Sequence, residues 1–156
     1  MRRQVAHVTG SLTNRVFVDT SVLVRLFDDD EPRRQAGARA VFGDIQATTL
    51  VISTRVMADF YNIVTREFAR PLPAVVAGRA LTDLADLAVV QVDHNLVAAA
   101  ADTAERHDLD IRDALAVEAA ATAGCGRLLT EVFPHGTVLR GVLAEDPVNW
   151  EENRSQ

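Results

Sequence analysis

Val16-Phe17-Val18-Asp19-Thr20-Ser21-Val22-Leu23-Val24-Arg25-Leu26-Phe27 changes character at its fourth residue. The apolar run Val16–Val18 suits a strand buried on both faces. The stretch Thr20–Phe27 predicts a short helix. Asp19 stands at the junction, and a carboxylate at the carboxyl end of a buried strand lies where open α/β sheets bind ligands. It is equally placed to cap the helix that follows, through the N–H of Ser21 or Val22. The two roles are compatible.

The same alternation repeats along the rest of the chain. The acidic run Asp28-Asp29-Asp30-Glu31-Pro32 reads as a solvated loop, with Pro32 starting a helix to about Ile45. Thr48–Ile52 is β-branched and apolar and predicts a buried strand, after which Ser53 or Thr54 caps a helix to about Phe68. Pro71 and Pro73 break it. A helix through Leu72–Leu87, a third strand at Ala88–Val92 and a helix from the cap Asp93 to His107 follow. Ile111–Ala123 is a further helix, Arg127–Thr130 a fourth strand, and Val138–Leu143 a candidate edge strand. Strands alternating with helices predict one α/β domain over residues 15–148 with a mainly parallel sheet of four to five strands. Residues 1–14 read as an N-terminal extension and 149–156 as an irregular tail.

The chain has 156 residues and a net charge of −6, and all of its 16 basic residues are Arg. Without Lys, mechanisms that need a catalytic or phosphate-cradling Lys are excluded, the P-loop among them. An acidic chain does not bind nucleic acid by bulk charge, so local Arg patches must compensate. The lone Cys125 rules out a disulfide framework and fits a reducing compartment; between Gly124 and Gly126 it reads as a small buried residue at a helix-to-strand joint. No stretch approaches the ~20 apolar residues of a membrane helix, and the first fourteen residues lack a secretory apolar core. The expectation is a cytoplasmic protein.

Four acids are candidates for chemistry. Asp19 is the first. Asp59, with Val56 and Ile63 at i−3 and i+4, lies at the border of an apolar helix face, where pairing with Arg55 or Arg66 is the plain alternative. Asp113 opens the helix whose segment Ala114–Ala123 is apolar nearly all round. The helix dipole favours an acid there, but a carboxylate in such surroundings needs a cation or several donors. Glu131 follows the fourth strand at the same carboxyl edge, with an exposed loop acid as its plain reading. Carboxylates meeting in one crevice repel each other unless a divalent cation neutralises them. Oxygen-only ligation suits Mg2+ or Mn2+, which can activate water for displacement at phosphorus. His94, His107 and His135 read as ordinary exposed or core histidines, and His7 lies in the extension. Among the arginines, Arg25, Arg55 and Arg112 sit within about a turn of these segments, and the planar guanidinium suits phosphate.

Phe17–Val24, Ile52–Val56 with Phe60–Arg66, Ile111–Leu115, and Gly124–Glu131 with His135-Gly136 together resemble, in order and spacing, the PIN-domain ribonucleases of the VapC type, the toxins of bacterial toxin–antitoxin pairs. The resemblance covers residues 15–148. It implies a three-layer α/β/α sandwich, Asp19 and Asp113 as metal-binding acids, and Asp59 where the family usually has Glu. It also implies Mg2+- or Mn2+-dependent cleavage of RNA of the tRNA or ribosomal class, a homodimer and a small antitoxin partner. The chain departs from the family at Asp59, whose carboxylate is about 1.5 Å shorter in reach than that of Glu. It departs again at Val132, where the family usually has another acid.

The leading expectation is a metal-dependent endoribonuclease toxin with Asp19, Asp59, Asp113 and Glu131 as its catalytic acids, and with Arg25, Arg55 and Arg112 on the RNA. The alternative is a catalytically weakened PIN-like domain that binds RNA or a protein partner without cutting. Phosphoaspartyl chemistry also uses a strand-end Asp. It requires a second Asp two residues on, where Ser21 stands, or a Lys, which is absent.

Overall fold

The computed structural model describes residues 14–44 and 46–154. The expected extension (apart from Asn14), with His7, lies outside them, as does Ile45. Strands β1 (Arg15–Val18), β2 (Thr49–Ser53), β3 (Ala88–Val90), β4 (Arg127–Leu129), β5 (Val138–Leu139) and β6 (Val142–Glu145) form one sheet in the order β3-β2-β1-β4-β6-β5. All neighbours are parallel except β5 and β6. Phe17 of β1 aligns with Val51 on one side and Leu128 on the other. Val16, Phe17 and Val18 are fully buried, as expected of a central strand covered on both faces.

The helices are α1 (Thr20–Leu23, continued by a 3-10 turn Val24–Phe27), α2 (Pro32–Gly43), α3 (Thr54–Asn62, continued by a wide turn Ile63–Glu67), α4 (Ala74–Leu84), α5 (His94–His107), α6 (Ile111–Thr122) and α7 (Trp150–Arg154). Helix α6 is buried from Ala114 to Ala120, packs on β1, β2, β4 and β6, and is backed by α5. Small Ala side chains let it approach the sheet. Helix α3 packs on β2, α1 and α4. Ser53 caps α3 by accepting the Val56 N–H at 3.1 Å, and Asp93 caps α5 by accepting that of Leu96 at 2.9 Å.

The α/β architecture is the expected one, with six strands in place of four to five. The predicted edge strand over Val138–Leu143 is a hairpin, because Arg140 and Gly141 both adopt positive φ (54° and 74°) and turn the chain back. Strand β3 stops at Val90, and α4 starts at Ala74, with Pro73 as its N-cap in an extended conformation (ψ 144°). The expected irregular end instead holds a 3-10 turn, Pro147–Asn149, and α7. Trp150 anchors it. The side chain is 2% exposed, its indole N–H donates to Asp44 Oδ2 at 3.0 Å, and the Arg127 guanidinium lies 5.1 Å from its ring centre.

The chain runs from β1 outward to β3 and then crosses back to place β4 on the other side of β1. The carboxyl ends of β1 and β4 therefore flank the switch point of the sheet, where such folds open a crevice.

Candidate active site

Asp19 leaves β1 at that switch point. Its backbone N–H still donates to Leu129 O of β4 at 3.0 Å, so the main chain is fixed before the side chain is considered. It caps α1, but not through the predicted amides. Its Oδ1 accepts the Thr20 N–H at 2.8 Å, while the N–H groups of Val22 and Leu23 go to its backbone oxygen. Its Oδ2 accepts from the Thr130 hydroxyl at 2.8 Å and the Ser21 hydroxyl at 3.3 Å. Burial pushes the Asp19 carboxyl above the ordinary Asp value. The charge of Asp113 pushes the same way, against the lowering by Thr130, Thr20 and Ser21.

Asp113 sits in the first turn of α6, behind the cap Asp110, whose Oδ1 accepts the Arg112 N–H at 2.8 Å. The Arg112 side chain folds back onto Asp110, with Nε to Oδ1 at 3.2 Å, and holds that exposed carboxyl below its ordinary value. Asp113 is pushed upward, first by burial and then by Asp110, with Arg112 opposing. Asp59 is tied to Arg55 one turn earlier in α3, Nε to Oδ2 at 2.9 Å. The charge of Arg55 reaches Asp110 and that of Asp59 reaches Arg112, so this end of α3 faces the start of α6.

Glu131 is brought to the same sheet edge, but its carboxylate is taken by arginines. Arg25 grips it with Nε at 3.0 Å and Nη2 at 2.8 Å, and Arg34 adds Nη1 at 3.2 Å. Arg25 also reaches Asp28 at 2.6 Å, and these partners raise its own pKa. The predicted phosphate contact Arg25 is thus fully engaged with acids. Val132, at the position where the resemblance calls for an acid, is half-exposed, and its N–H donates to Thr130 Oγ1 at 3.0 Å.

Of the four predicted acids, the structure brings Asp19 and Asp113 within electrostatic reach of each other. Asp59 and Glu131 are each neutralised by a guanidinium. Among the described residues neither Asp19 nor Asp113 is in an ion pair, and no three His, Cys, Asp or Glu side chains stand together as a metal cluster. A half-buried pair of carboxylates, each disfavoured as an anion, is a donor set of the kind that a hard divalent cation satisfies, with water completing its shell. Sequence reasoning missed Thr130, Ser21 as a hydroxyl donor, and Arg34 as a partner of Glu131. Asp-x-Ser at a strand end carries a weak signal for Ser21, whereas Thr130 and Arg34 depend on strand order.

Three comparisons bear on this arrangement. The family model described as the PIN domain matches residues 16–131. No curated protein matches the sequence. Among solved structures, Mycobacterium tuberculosis VapC20, a sarcin-ricin loop cleaving toxin, is similar with a TM-score of 0.63 at 21% identity, over 80% of this chain and 97% of that one. A toxin–antitoxin complex from Klebsiella pneumoniae gives 0.62 at 14% identity, covering 85% and 97%. VapBC2 from Rickettsia felis, bound to a DNA fragment from its promoter, gives 0.58 at 14%, covering 84% and 97%.

Proposed function

Because the chain belongs to the PIN domain family, we propose that it is a ribonuclease and the toxin of a toxin–antitoxin pair, hydrolysing RNA phosphodiester bonds with the help of Mg2+ or Mn2+. The observation that carries this reading is the Asp19–Asp113 pair. Among the described residues these are the site's two carboxylates without a guanidinium partner, and they lie at the switch point of the sheet. Asp19 and Asp113 would hold the ion. When bound, such an ion lowers the pKa of a water and offsets charge developing on phosphate oxygens.

The chain's own residues supply the rest. The Thr20 N–H donates to the Asp19 carboxylate, and the α6 N-terminus favours charge on Asp113. Asp59, restrained by Arg55, orients a water at the rim. Arg55 and Arg112 offer N–H groups to RNA phosphates beside their acid contacts, whereas Arg25 is taken up by Glu131 and Asp28.

A small antitoxin and a homodimer complete the proposal. A cleft of about 390 Å3 beside Ser21, Arg25 and Glu131, lined also by Asp28, Asp29 and Asp30, suits a basic segment of such a partner. Among the described residues no helix is long and apolar enough to cross a membrane, which accords with a cytoplasmic site of action.

The test is RNA cleavage by the purified protein with Mg2+ or Mn2+, beside an EDTA control and Asp19→Asn. Cleavage is expected only in the first, with Asp19→Asn down by about 100-fold or more. Equal cleavage in all three would remove the metal mechanism. Among the described residues the site holds no third carboxylate free of a guanidinium, which favours a second reading, a weakened PIN-like domain that binds RNA or protein without cutting. RNA binding without cleavage, even in the variant Val132→Asp, would select it.

A further inference from the structure

The end of β4 gives two backbone N–H groups to two hydroxyls. Glu131 N–H donates to Ser21 Oγ and Val132 N–H to Thr130 Oγ1, each at 3.0 Å. Both hydroxyls also contact Asp19 Oδ2, at 3.3 Å and 2.8 Å. A backbone N–H can only donate and a carboxylate can only accept, so the direction of each chain is forced. The proton of each hydroxyl must point at Oδ2. A carboxylate oxygen has about two lone-pair directions, and on Oδ2 both are filled. Oδ1 accepts one N–H, from Thr20, and keeps one direction open.

We infer that Ser21 and Thr130 are positioning residues that saturate Oδ2 and leave a single lone pair on Oδ1 as the point where Asp19 meets a divalent cation. Glu131 serves this arrangement through its backbone, and its carboxylate is an anchor. The inference rests on the proposed metal-bound reading of Asp19 and assigns roles that the reading leaves open. It also gives Val132 a part, since the residue that lacks a carboxylate still orients Thr130 through its N–H.

The anchor follows from where the sheet ends. Thr130 N–H makes a ladder-type bond to Glu145 O at 2.9 Å, and beyond it the N–H groups of 131 and 132 turn to the hydroxyls. Arg25 holds the Glu131 carboxylate with two N–H groups in a fork, a geometry that fixes direction as well as distance. Arg34 holds it from α2 while also reaching Asp146 just past β6 at 3.3 Å. The loop carrying both N–H donors is thereby tied to the turn after α1, to α2 and to the end of β6.

The experiment is calorimetric titration of the full chain with Mn2+ alone, at fixed pH. Asp19→Asn is expected to abolish binding. Thr130→Val and Ser21→Ala should each weaken it by about 10- to 100-fold, the usual effect of losing a group that orients a metal ligand. Thr130→Ser should restore most of the loss, which a packing role for the methyl group would not. The double variant Arg25→Gln/Arg34→Gln should weaken Mn2+ binding as well, because the loop is released. Unchanged affinity in Thr130→Val and Ser21→Ala, with Asp19→Asn still abolishing binding, overturns the inference alone. So does tighter binding in the double arginine variant, which would mean that a freed Glu131 becomes a ligand. A wild-type chain that takes up no Mn2+, or binds it equally as Asp19→Asn, overturns the metal reading and this inference together. Should Thr130→Val not fold by circular dichroism, Ser21→Ala and the arginine pair decide between these outcomes.

Discussion

Asp19 and Asp113 both hold their protons more tightly than an ordinary Asp, mainly through burial. The folded state therefore binds more protons than the unfolded one in the range above 3.8, the ordinary value. Stability contributed at these two positions is present at the acid end of that range. It is lost as pH rises through the raised values, because both charges must then exist unpaired. Asp110 has the opposite sign, but its lowered value places its effect below 3.8. The expected result is that thermal stability of the metal-free protein, measured relative to Asp19→Asn, falls as pH rises from about 4 towards neutrality. Mn2+ should raise the melting temperature at neutral pH and lose that effect at the acid end. A difference curve flat with pH would contradict this. Cys125, whose thiol burial pushes up to about 11, is not a nucleophile at neutral pH. Asp19 and Asp113 were legible in the sequence because each is marked locally, one by a strand end and one by an apolar helix that it opens. The pairing of Glu131 with Arg25 was not, since the partners lie 106 residues apart and meet only through the order of the strands.

Helix α2 shows how a contact invisible in sequence constrains a helix. Gly37 lies on the face that meets the turn Pro147–Asn149, and a Cβ there would run into the Pro147 carbonyl oxygen and come within 3.0 Å of Val148 Cα. Backbone cannot yield as a flexible side chain can. Gly37→Ala, which by helix propensity alone would stabilise α2, should instead cost about 1–3 kcal/mol by overpacking. Urea unfolding of the variant is the measurement, and a gain in stability would show that the turn moves aside. The strand–helix alternation was readable because apolar runs and caps are local signals. The split of Val138–Leu143 into β5 and β6 was not readable, because Arg140-Gly141 lacks the usual Asn-Gly signature of such a turn, and Arg140 accepts a left-handed conformation (φ 54°).

The whole molecule is closed by its last elements. Trp150 fills a site between α2 and β4 that nothing in the local sequence announces: one aromatic residue in a polar stretch. Trp150→Ala should cost about 3–5 kcal/mol, the range for emptying a buried aromatic position, and should lower the urea midpoint far more than an exposed tail residue would. A midpoint shift near zero would mean that α7 is dispensable.

The sheet order has a consequence for timing. The carboxylate of Asp19 is set by the hydroxyl of Thr130, 111 residues later in the chain, and β1 itself lacks one of its two neighbours until β4 exists. A growing polypeptide thus carries Asp19 well before it can orient it, since Thr130 is made 111 residues later. Interrupted synthesis would yield fragments that own the reactive residue without the means to aim it. For a protein whose proposed substrate is RNA, late completion of the site would keep unfinished chains harmless.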